Sequence, residues 1–139
     1  MTGKPKLSEV HIHKQIVQSY DLDFLQHVNN AVYLNYLESA RISFLKLYGI
    51  DFKVFLSLPA IPVVATAHLE YKRPCYIDDE LSIHTWVSEK KRVSMTIAYE
   101  IYNQANELVH LADTVLVFID KSGKASEIPQ IYLDILNSK

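Results

Sequence analysis

A chain of 139 residues and 16.0 kDa has room for one domain and not for two stacked ones, so a single domain over residues 1–139 is expected. Its residues are 49% hydrophobic and 22% charged, with mean hydropathy near +0.01, a composition that can fill a core and argues against disorder. A formal charge of −2 argues against the broad electropositive face of a general nucleic-acid binder, and no apolar run approaches the roughly 18 residues of a membrane span. The single cysteine, Cys75, excludes an internal disulfide and a cysteine-built zinc cage, and MTGKPKLSEVHIHK lacks the apolar stretch of a secretory signal. The expectation is a soluble, cytoplasmic protein held by packing alone, with no metal, no cofactor, no nucleic-acid partner and no membrane.

In chain order, Val10 to Ser19 partly alternates, with Val10, Ile12 and Ile16 on one side and Glu9, His11, His13 and Gln15 on the other, which predicts a strand. Tyr20 to Asn30 then gathers Asp, Gln, His and Asn. It leads into AVYLNYLESARISFLKLYG, where Val32, Tyr33, Tyr36, Leu37, Ala40, Phe44, Leu45 and Tyr48 recur at helical spacing up to Gly49. Asn29 or Asn30 suits the N-cap, since its side-chain oxygen can accept from a free amide of the first turn. The helix is apolar around much of its circumference, which predicts cover on several sides.

Ile50 to Ala60 reads as a connector, and four strands follow. Ile61 to Tyr71 alternates and is closed by Pro74; Leu81, Ile83, Thr85 and Val87 alternate up to the basic turn Glu89-Lys90-Lys91-Arg92. Val93 to Ile101 ends at Asn103-Gln104-Ala105-Asn106, and Leu108 to Ile119 ends at Asp120-Lys121-Ser122-Gly123. A short helix over Pro129 to Leu136 completes the chain. The order predicts an α+β domain: a five-stranded antiparallel sheet, built of consecutive hairpins, wrapping a long central helix.

Asp21, Asp23, Gln26, His27, Asn29 and Asn30 form the densest polar cluster beside apolar structure. A helix start presents unpaired N–H groups and the positive end of the helix dipole, which can stabilise a developing oxyanion. A carboxylate there can serve as nucleophile or general base, and His27 can orient a water or donate a proton. Asp and Asn ahead of a helix also serve simply as caps and turn formers, and the residue pattern leaves both readings open.

The stretch DLDFLQHVNNAVY resembles the signature of hotdog-fold thioesterases related to 4-hydroxybenzoyl-CoA thioesterase, Asp-x-Asp followed by a polar stretch and a helix Tyr, here Asp21, Asp23 and Tyr33. It is similar also to plant acyl-ACP thioesterases, as is LEYKRPCYIDDEL, Leu69 to Leu81. The chain differs from the plant pattern at Leu25, where that group has asparagine, and at Pro74, where it has glutamate. The resemblance implies a single hotdog fold that hydrolyses an acyl-CoA or acyl-ACP thioester. It implies Asp23 as the catalytic carboxylate, His27 as the active-site histidine, the Asn30 backbone N–H as carbonyl polariser and Glu38 as a reserve carboxylate. Tyr33, Lys72, Arg73, Lys91 and Arg92 are the substrate-binding residues it implies, the basic ones toward CoA phosphates. Plant enzymes join two hotdogs in one chain, so a homodimer or dimer of dimers is expected. A hotdog dehydratase using His27 with Asp23 or Glu38, and a non-catalytic acyl-thioester binding protein, are the alternatives.

The remaining residues carry weaker signals. Cys75 matches the plant cysteine, yet a lone thiol is ordinarily a small buried hydrophobe. His11 and His13 share a strand face without a carboxylate at ligand spacing. His68, His84 and His110 are scattered among strands and are expected to pack or face solvent.

Overall fold

The structure, a computed structural model, describes residues 3–138. Its strands are β1 (His11–Ile16), β2 (Ile61–Tyr71), β3 (Glu80–Lys90), β4 (Ser94–Tyr102) and β5 (Leu108–Ile119). They form one antiparallel sheet in the order β1-β3-β4-β5-β2. The expected run of consecutive hairpins therefore holds only for β3-β4-β5. The segment between β2 and β3 crosses the sheet, so β2 pairs with β5 and β1 borders β3 at the other edge.

Helix α1 (Val32–Leu47) is 16 residues long and buries Tyr33, Tyr36, Leu37, Ala40, Phe44 and Leu45. It packs on β1 and β3, against the buried Leu81, Ile83, Thr85 and Val87. The helix is thus neither central nor enclosed within one chain. Leu34, Asn35, Glu38 and Ile42 are exposed along its other side, and the middle of β2 is uncovered. Helix α2 (Phe52–Ser57) occupies part of the expected connector, started by Asp51, whose side chain accepts from the Val54 amide at 2.9 Å. Helix α3 (Gln130–Leu133) continues as a 3-10 turn to Ser138, and Tyr132 and Ile135 enter the core beneath Phe118.

Register decides which side of β1 meets the helix. His11, His13 and Gln15 stand opposite Thr85, Ile83 and Leu81, whose side chains face α1. Residues directly opposite in an antiparallel pair share a face, so the polar side of β1 is turned inward. Ile12 and Ile16, 48% and 51% exposed, point away. The His11 Nε2 meets the Ser43 hydroxyl at 2.8 Å, and its ring lies beside Phe44, so a histidine fills the place an aliphatic residue would take.

A bulge in β2 between Val64 and Thr66 shifts the alternation by one residue. Tyr71, Leu69 and Ala67 on one side of it, and Val64 and Pro62 on the other, then share the face that carries His110, Ala112, Thr114 and Leu116 of β5.

Candidate active site

The polar cluster lies where β1 ends and α1 begins. Asp21 ends a short 3-10 turn (Ser19–Asp21) and is only 8% exposed. Its Oδ2 accepts from the Gln18 amide at 2.9 Å and from the Tyr36 hydroxyl at 2.7 Å, and its carbonyl accepts from the Asn29 amide at 2.9 Å. Those bonds close both ends of the loop that follows.

Within that loop Leu22 bridges Val28, and the Asp23 amide donates to the His27 carbonyl at 2.9 Å. The Gln26 amide donates to the Asp23 carbonyl at 3.0 Å, while Asp23 Oδ1 accepts from the Leu25 amide at 2.8 Å. This is a tight hairpin whose first corner is an Asx turn, with Gln26 in the left-handed region at φ 66°. Phe24 at its tip is 98% exposed. One oxygen of Asp23 thus fixes the turn, and Oδ2 has no protein partner among the described residues. Asn29 Oδ1 accepts from the Ala31 amide at 3.0 Å, so Asn29 leads the chain into α1; the structural N-cap is Ala31, and the cap expected at Asn29 or Asn30 is not formed.

Asp23, His27 and Asn30 line one cavity of about 290 Å³, together with Tyr33, Tyr71, Lys72 and Arg73. The Asn30 amide has no hydrogen-bond partner among the described residues. The His27 ring stands edge-on to Tyr76 at 5.2 Å. Lys72 pairs with Glu70 at 2.9 Å and Arg73 with Glu107 at 3.6 Å, so both basic side chains reach the cavity rim already partnered.

Other expected residues lie elsewhere. Lys91 and Arg92 are exposed at the far end of β3, whose 11 residues carry them roughly 30 Å from the cavity end of the sheet. Glu38 faces a separate groove along α1. Cys75 is fully buried, its carbonyl taking the Val28 amide at 2.9 Å, and burial raises its thiol pKa, which opposes a nucleophilic role. Among the described residues no cluster of three metal-ligating side chains occurs.

Behind the cavity stands one of the histidines scattered among the strands. His110 of β5 is fully buried, stacked on Tyr33 at 4.5 Å and 10° and edge-on to Tyr71 at 4.9 Å, with neither ring nitrogen hydrogen-bonded. Burial pushes its pKa down to about 4, so the ring is neutral and supports the two tyrosines that wall the cavity. Burial, and next the neighbouring Cys75 thiol, raise the pKa of the Tyr33 hydroxyl and keep it protonated. No local motif marks His110, because its role depends on the β5-β2 register that sets it opposite Tyr71.

The family model of the thioesterase-like superfamily matches residues 17–136. The long-chain acyl-CoA thioesterase FadM of Escherichia coli strain K12 is 31% identical over 103 residues, 74% of this chain and 76% of that protein. A crystal structure of an Aquifex aeolicus protein superposes with a TM-score of 0.85 at 28% identity, covering 91% of this chain and 98% of that one. The 1,4-dihydroxy-2-naphthoyl-CoA thioesterase Slr0204 of Synechocystis shares the fold, with a TM-score of 0.86 at 18% identity over 93% and 96% of the chains.

The state of His110 has a measurable consequence. Its folded pKa lies below the usual 6.5, so its contribution to stability is complete above that pH and is lost as pH falls toward 4. Unfolding free energy from denaturant titrations should fall by up to about 3 kcal/mol across this window on account of His110. His110→Phe should flatten the slope, leaving the smaller part owed to His11, His13 and His84, which burial also holds down. An unchanged slope in His110→Phe would show that the ring is not buried neutral.

Proposed function

The chain belongs to the thioesterase-like superfamily, and we propose that within it this protein hydrolyses acyl-CoA thioesters with Asp23 as the catalytic carboxylate. One observation carries the reading: Asp23, His27 and Asn30 line the same cavity at the start of α1, with one Asp23 oxygen and the Asn30 amide unpaired among the described residues. A thioester carbonyl seated against that amide has its developing oxyanion stabilised by a fixed N–H and by the helix dipole. Asp23 Oδ2 then takes a proton from water, whose oxygen adds to the carbonyl carbon. The C–S bond breaks, and thiol and free acid leave once the thiolate is protonated. Attack by Asp23 itself, through an anhydride, gives the same products. His27 holds the water or the carboxylate in place.

Two relatives are named acyl-CoA thioesterases and one a chloroplastic acyl-ACP thioesterase, which favours CoA over ACP; the CoA phosphates would meet Lys91 and Arg92 only across a dimer. The free edge of β2 supplies the means. A second copy pairing its β2 antiparallel to the first would set its own β3-β4 turn at the cavity end of the first sheet, because β2 starts at the end where that turn lies. Such a homodimer would also cover the exposed middle of β2 and the outer side of α1.

Asp23→Asn divides catalysis from turn formation. Asn keeps an Oδ1 for the Leu25 amide and so keeps the hairpin, but it cannot accept the proton. With the melting temperature maintained, kcat should fall by at least roughly 100-fold. His27→Ala should lose less if it only positions, and as much if the two act as a unit. A folded Asp23→Asn enzyme near wild-type kcat would overturn the assignment and turn attention to Glu38.

Lys91→Ala with Arg92→Ala should raise KM for acyl-CoA and leave kcat nearly unchanged, since distant phosphate contacts bind ground and transition states alike. Added salt should imitate the double variant by screening. An unaltered KM, or an active monomer in sedimentation at micromolar concentration, would remove the cross-dimer site.

A further inference from the structure

Next to the candidate active-site cavity, whose wall includes Tyr33 and Tyr71, a separate groove begins at Leu34 and Ala67 and runs along α1, between the helix and the exposed face of β2. A pocket of about 210 Å³ is lined by Leu34, Glu38, Arg41, Val64, Ala67 and Thr114, and beyond it a pocket of about 390 Å³ shares Glu38, Arg41 and Val64. The walls are mixed: apolar side chains that suit an acyl chain, the polar Asn35, Glu38, Lys46 and Asp51, and the donor pair Arg41 and Thr114.

Those two are joined beneath the groove. Arg41 Nη1 donates to the Tyr99 hydroxyl at 3.0 Å, and that hydroxyl meets Thr114 Oγ1 at 2.9 Å. Tyr99 is fully buried, and burial raises its pKa, so it keeps its proton. Either hydroxyl can donate in that contact; because Arg41 can only donate, Thr114 is the acceptor that satisfies the buried tyrosine proton. The Thr114 hydroxyl hydrogen is then left over for the groove, beside the guanidinium N–H groups that Tyr99 does not use. Among the described residues no carboxylate lies within 4.0 Å of the Arg41 guanidinium. Glu38 sits at the exposed mouth of the pocket, where water screens it. The wall thus offers donors from two residues and a half-buried positive charge, a set that calls for an acceptor oxygen.

Resting on the hydrolase reading above, we propose that the preferred acyl groups end in a carboxylate, which Arg41 and Thr114 recognise. Nine residues separate Val32 from Arg41, about 14 Å along the axis, and a helical side chain leans back toward the N-terminus. An acyl chain of roughly six to ten atoms, with bonds of about 1.5 Å, spans the distance from the Asn30 amide to the guanidinium.

The test compares octanoyl-CoA with 7-carboxyheptanoyl-CoA in turnover, and the corresponding non-hydrolysable CoA thioethers in calorimetric binding. The wild-type protein should favour the carboxyl-ended member of each pair by roughly 10- to 100-fold, the worth of a charge-assisted hydrogen bond. Arg41→Met should bring that ratio to about one or reverse it, and Thr114→Val should reduce it. A wild-type preference for the methyl-ended ligand overturns the proposal without any variant. So does an Arg41→Met protein that loses both ligands equally, or that loses its dimer in sedimentation, which would assign Arg41 to a contact with Glu38 of a second copy. Selective thioether binding without turnover would retain the acyl recognition and refute the hydrolase reading; turnover without selectivity would do the opposite.

Discussion

The buried carboxylate of Asp21 is the constraint on which the site depends. A desolvated anion is tolerated only when its oxygens are hydrogen-bonded, and Asp21 draws its donors from the Gln18 backbone after β1 and from Tyr36 in α1. Its own carbonyl holds Asn29 at the far end of the loop. The position of Asp23 and His27 relative to α1 is therefore set by one side chain that does not touch the cavity. From Tyr36 the constraint passes edge-on to Tyr33, and from Tyr33 by stacking to His110, so loop, helix and β5 are tied in a single aromatic chain.

The second organising fact is the off-centre seat of α1. A helix seated closest to β1 and β3 leaves the middle of β2 on the same face without cover, beside the buried His110, Ala112, Thr114 and Leu116 of β5. Water-facing backbone and apolar side chains there are costly to leave open, and proteins commonly place ligands or second copies in such positions. Active-site cavity, groove and free edge all lie toward β2, whereas the packed half carries the fully buried Leu81, Ile83 and Val87.

Local pattern revealed more of the fold than of its wiring. The five strands and α1 could be read from their periodicity, because alternation and helical spacing are properties of neighbouring residues. The partner of β2 could not, since hairpin formation with β3 and a crossover to β5 demand the same alternation. The inward turn of His11 and His13 was hidden for a similar reason: the face of an edge strand is fixed by its register with a strand about 70 residues away. At the site, the loop motif brought Asp23, His27 and Asn30 to attention as a group. Lys91 and Arg92 drew notice through charge alone, which says nothing about distance. Arg41 and His110 escaped it, because one is a lone cation on a helix and the other a lone imidazole on a strand, and each gains meaning only from the residues opposite it.

The long reach of the β1-β3 pairing also matters during synthesis. His11 pairs with Thr85, so β1 has no partner until the chain through β3 has been made. At about 5–20 residues per second that wait lasts several seconds. A strongly apolar strand would spend it as a template for aggregation, but HIHKQI carries two imidazoles, a lysine and an amide. Polar residues that look misplaced in the finished core thus keep the nascent chain in solution until its partner strand arrives.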